Sequence, residues 1–127
     1  MPITCQDLLN FAEDCFSRKD EVGYRNATSR AYYAAYHNVY PVMKSGPKDN
    51  HQGLIDYLKT DSWKGNEAYN KADLIALGHM LQNLKDNRIV SDYNLSHNVK
   101  EVDAKVAIAT SRKVLEKVTE ITQSKIA

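Results

Sequence analysis

Within residues 29–37, Ser-Arg-Ala-Tyr-Tyr-Ala-Ala-Tyr-His, Arg30 and His37 stand with six residues between them. An arginine can grip phosphate oxygens and stabilise charge that develops on them. A histidine with a near-neutral pKa can take or give a proton. No proline or glycine interrupts the stretch, so it reads as a helix. On that helix Arg30, Tyr33, Ala34 and His37 fall on one face. The alanines allow a neighbouring helix to approach closely, and the tyrosines bring large apolar bodies with polar tips. A cation and an imidazole are unusual on a pure contact face. For this stretch alone a structural account is preferred: the histidine packs, and Arg30 pairs with a carboxylate, Asp92 for instance.

The second stretch is residues 87–95, Asn-Arg-Ile-Val-Ser-Asp-Tyr-Asn-Leu. It holds Arg88, Asp92 and Tyr93. Residues 29–37 resemble the second-helix signature of HEPN domains. Residues 87–95 are similar to the Arg-x-x-Ala-Asp-Tyr-Asp segment of prokaryotic HEPN proteins. The two occur in the family's order, and with the helices around them the resemblance covers most of residues 3–123.

The elements that would carry these residues follow from apolar periodicity. A first helix runs from Thr4 to near Lys19, and residues 20–23 connect it to a second. The second helix begins within residues 24–28 and reaches about Lys44, with Pro41 kinking or shortening it. Residues 45–50 form a loop, residues 51–59 a short third helix, and residues 60–66 a second loop carrying Trp63. The fourth helix spans residues 68–87, where Gly78 marks close helix contact. Residues 88–98 are an irregular-to-helical connection. A last helix covers residues 99–123, with Ala104, Ala107, Ser111, Val114 and Val118 on its core stripe. Nothing alternates with strand period for long. The expected architecture is one all-α domain over residues 1–127: an antiparallel up-and-down bundle of four main helices plus a short extra one. The HEPN resemblance implies the same fold.

A chain of 127 residues is large enough for its own core, and 43% hydrophobic with 26% charged residues is ordinary for a globular domain. A net charge of +1 gives no overall basic field that would announce nucleic acid. Cys5 and Cys15 would lie roughly 15 Å apart along one helix, beyond disulfide reach. The expected location is therefore cytoplasmic, with no signal peptide and no membrane span. Neither the cysteines nor His37, His51, His79 and His97 show a recognised metal spacing, so no metal and no cofactor is expected. Lys100, Lys105, Lys113 and Lys117 alternate with acids and read as a solvated face of the last helix.

HEPN ribonucleases carry Arg-x(4–6)-His, need no metal, and pair two protomers around one cleft. Carried onto this chain, Arg88 takes the arginine position. Tyr93 stands where the shortest motif places histidine, and His97 lies outside the motif length. Tyrosine titrates near pH 10 and is a poor base at neutral pH. The resemblance then implies a non-catalytic or weakly catalytic module that binds a nucleotide, RNA or a partner nucleotidyltransferase, in a toxin–antitoxin or phage-defence setting, as a homodimer. The alternatives are a metal-independent endoribonuclease toxin and a ligand-free dimerisation domain. The expected site gathers Arg88 as phosphate binder, Asp92 as the group orienting an arginine, Tyr93 as a hydroxyl donor, and Arg30, with His37 at the groove's edge.

Overall fold

The structure, a computed structural model, describes residues 3–126. It contains five α-helices, α1 (Cys5–Phe16), α2 (Glu21–Val39), α3 (His51–Thr60), α4 (Lys71–Tyr93) and α5 (Glu101–Ile126), with a 3-10 turn at Tyr40–Val42. Among the described residues there is no strand.

Each start has a local cause. Thr4 and Asp7 form a reciprocal capping box at α1, with bonds of 3.0 and 2.8 Å. Asp20 accepts from Gly23 N at 2.8 Å and caps α2. Residues 20–23, expected as a connection, are therefore the cap and first turn of α2. A Cβ on Gly23 would meet the Cys15 carbonyl oxygen at 2.3 Å, so the tight α1–α2 junction requires glycine there. Asn50 and Asn70 cap α3 and α4 in the same way. The expected run of the second helix to Lys44 is too long. Pro41 cannot continue the ladder, and the chain passes into the 3-10 turn after Val39.

The largest departure concerns α4. Residues 88–93, expected as part of an irregular connection, are its last turns. No proline or glycine follows Gly78 in this helix, so nothing local stops it. Its end is held from outside. Arg25, with its side chain only 12% exposed, donates to the carbonyls of Ser91 (2.8 Å) and Asn94 (3.1 Å), and to that of His97, while Glu21 pairs with it at 2.9 Å. The carbonyl of Ser91 in the last turn of α4 and those of Asn94 and His97 just beyond it are thus gathered by one guanidinium.

Helix α2 packs against α1, α4 and α5, and α3 packs on α4. Ala27, Ala31, Ala34 and Ala35 of α2 are fully buried, which lets these neighbours come close. At Gly78 an added Cβ would lie 3.2 Å from the Leu58 Cβ, so α3 and α4 meet there. Lys117 does not belong to a solvated face. It is paired with Asp73 at 2.8 Å across α5 and α4. The segment between the 3-10 turn and α3 is tied down by Glu67, which accepts from Lys44 N at 2.7 Å, Ser45 N at 2.9 Å and the Tyr57 hydroxyl.

Candidate functional site

One face of α2 carries Ser29, Tyr32, Tyr33 and Tyr36, and the first three meet the end of α4. There Arg88 and Asp92, four apart on the helix, form an ion pair with Nε 3.0 Å from Oδ2. The contact is electrostatic, without the alignment of a hydrogen bond, and Nε is buried. Nη2 of Arg88 donates to the Tyr33 hydroxyl at 2.6 Å. Ser29 Oγ donates to the same Asp92 oxygen at 3.2 Å. The guanidinium is therefore fixed on two sides by partners from two helices. Its Cζ also lies 5.1 Å from the Tyr33 ring centroid, 5.6 Å from that of Tyr93 and 5.9 Å from that of Tyr32, within cation–π range of all three.

Asp92 pairs with Arg88 and not with Arg30, contrary to the structural account drawn from sequence. The short i, i+4 spacing on α4 wins over a contact between helices. The Arg30 Cζ instead lies 5.0 Å from the Tyr33 ring centroid. Both arginines thus flank one ring, and their Cζ atoms are at most about 10 Å apart, the sum of the two ring distances. The exposed His37 ring stacks on Tyr33 with centroids 6.2 Å apart. Arg30, Tyr33 and His37 line an open groove of about 540 Å³ with Ile3, Thr4, Cys5 and Leu8. Tyr93 is 70% exposed and does not line this groove. A larger groove of about 760 Å³ lies between α1, α2 and α5; it shares Thr4 and Cys5 with the first, and none of Arg30, Tyr33, His37, Arg88, Asp92 and Tyr93 lines it.

His51, the first residue of α3, was not singled out as a site residue by the sequence. Its ring lies 3.9 Å from that of Tyr36 and nearly parallel, at 3°. Its Nδ1 is hydrogen-bonded to the Tyr32 hydroxyl at 2.5 Å. Burial lowers its pKa, with Arg88, His37 and Lys85 acting in the same direction, so the ring is neutral at pH 7. Burial pushes the Tyr32 and Tyr36 hydroxyls up, and both stay protonated. No sequence spacing links His51 to Tyr32 and Tyr36; the contact arises because the start of α3 comes back against α2. Arg25 was missed as well, although Glu21-x-x-x-Arg25 is legible as a helical ion pair.

The arrangement offers a pinned cation, aromatic faces around it, a second cation across one ring and a neutral imidazole nearby. Side chains of these kinds can hydrogen-bond a phosphate and stack on a planar group. Among the described residues no group of three or more His, Cys, Asp or Glu could hold a metal ion, and no helix is long and apolar enough to cross a membrane. Both thiols are free. Compared with protein-family models, curated proteins and solved structures, the chain shows no match.

Proposed function

We propose that the protein is a HEPN-like module that binds the phosphate of a nucleotide or of RNA at Arg88, with little or no catalysis of its own. The five helices would form the antiparallel four-helix bundle of that family, with α3 as the short addition. The observation that carries the reading is the double restraint of Arg88 by Asp92 and the Tyr33 hydroxyl. An arginine held in one geometry loses little entropy when it grips phosphate. Tyr93, exposed beside Arg88, donates a hydroxyl and acts as a stacking face. A homodimer in the cytoplasm, serving a partner nucleotidyltransferase in a toxin–antitoxin or phage-defence pair, is the setting this reading fits.

Binding of a fluorescent single-stranded RNA, followed by anisotropy across a salt series, tests it. Arg88→Ala is expected to weaken binding about tenfold or more and to lower the salt slope by about one unit. Unchanged affinity would remove Arg88 from the site.

His51 favours a second reading, a metal-independent ribonuclease whose imidazole comes from α3. Its ring is tied through Tyr32 to the aromatic group on which Arg88 lies. Cleavage of RNA in EDTA that is lost in both Arg88→Ala and His51→Ala would establish it. His37→Ala decides whether the groove-edge histidine takes part.

A further inference from the structure

We propose that Arg30 is a second anion subsite beside Arg88, so that the site takes a ligand carrying two phosphate groups. This subsite rests on the reading of Arg88 as phosphate-binding.

The two arginines are held differently. Arg88 has the Asp92 carboxylate. Arg30 has no carboxylate partner among the described residues, and its contact is the face of Tyr33. A guanidinium carries five donors in a planar fork, and a ring face satisfies none of them as an acceptor would. Those donors border a groove whose lining residues, Ile3, Thr4, Cys5, Leu8, Tyr33 and His37 beside Arg30, include no acid. An anion entering there meets a cation, an imidazole and hydroxyls, with no like charge on the walls.

Tyr33 joins the two halves. Its hydroxyl accepts from Arg88, and its ring lies beneath both guanidiniums. The cations are at most about 10 Å apart, comparable to the roughly 8–10 Å screening length at 0.1–0.15 M salt, so salt screens their mutual repulsion only in part. Asp92 offsets one of the two charges and leaves an excess positive charge across the pair. A ligand with two negative groups relieves that repulsion, whereas one phosphate relieves half of it. Two phosphates linked directly, as in a nucleoside diphosphate, and two separated by a ribose, as in a polynucleotide, share this chemistry.

Calorimetric titration distinguishes them with four probes: AMP, ADP, the dinucleoside monophosphate ApA and its 5′-phosphorylated form pApA. Wild type is expected to bind ADP over AMP, or pApA over ApA, by about tenfold or more, the size of one charge-assisted hydrogen bond. Whichever pair shows the gain identifies the source of the second phosphate. Arg30→Gln is expected to erase the gain, weakening ADP or pApA at least about tenfold more than AMP or ApA, with thermal unfolding unchanged. Arg30→Lys, a point charge without the fork, keeps part of it. Arg88→Ala weakens all four ligands. Equal weakening of one- and two-phosphate ligands by Arg30→Gln, or no preference in wild type, overturns the second subsite while leaving Arg88 in place. Failure of every probe to bind overturns both.

Discussion

His51 couples the site to pH. An unfolded histidine titrates near 6.5. The folded one, stacked on Tyr36 and bonded to Tyr32, has a lower pKa. Below about pH 6.5 the unfolded chain therefore holds more protons at this residue than the folded one, and stability falls as pH falls toward and through the folded value. At pH 7 and above the contribution is fully present. The thermal midpoint of wild type is expected to drop more steeply from pH 7 to pH 5 than that of His51→Gln. Parallel curves would show that the folded pKa of His51 is not lowered relative to the unfolded chain. Asp20, Glu21 and Asp61, whose carboxyls are held low by Arg18, by Val99 N with Arg25, and by Lys64 respectively, lose their contributions at lower pH in both proteins. At this scale the sequence was partly legible. Arg88 and Asp92 sit four apart, a spacing that speaks for itself once the segment is helical. The position of His51 against Tyr32 and Tyr36 was not legible, because it depends on how the start of α3 returns to α2.

The end of α4 shows why an element can be misread locally. Asn87, Ser91 and Asp92 give residues 87–95 the composition of a connection, and the sequence reading stopped the helix there. The cap that extends it is Arg25, on another helix and more than sixty residues earlier. Residues 29–37 were readable for the opposite reason: their helix needs no help from elsewhere. Arg25→Ala is expected to cost about 2–4 kcal/mol in urea unfolding, since a hydrogen bond to a charged group contributes roughly 1.5–3 kcal/mol and several are lost together. Arg25→Lys should restore only part of this, because one ammonium cannot span the carbonyls of Ser91, Asn94 and His97. A cost below about 0.5 kcal/mol would mean that water satisfies the α4 end equally well. The same substitution is expected to weaken phosphate binding, because Asp92 lies within the clamped turn.

For the whole molecule, the all-helical class followed from periodicity, while the pairing of helices did not. The apolar stripes say which faces are buried without saying against what. One surface is left open beside the site. Ile89 and Tyr93, one turn apart on α4, are 40% and 70% exposed, and Leu95 just beyond them is 81% exposed. A second copy of the chain laid over this surface would cover them and bring two Arg88 side chains toward a common cleft. Light scattering at about 50 micromolar, where a micromolar dimer is mostly assembled, is expected to give twice the 14.4 kDa of one chain. Leu95→Asp should return the mass to that of one chain, and a monomeric wild type would sink the dimer.

Glu67 has a consequence that belongs to motion on the scale of minutes. Residues 43–50 contain no helix, and amides in such a segment ordinarily exchange with solvent deuterium almost at once. Those of Lys44 and Ser45 are instead bonded to the two oxygens of one carboxylate, which also holds Tyr57 on α3. They are expected to be slow protons that follow the Met43 amide, itself bonded to the Tyr40 carbonyl, ahead of the fast residues 46–50. Because a single side chain guards both, they should open together, at one common rate, whenever Glu67 swings away. Glu67→Ala would turn both fast in a single step while the amides inside α3 and α4 keep their protection.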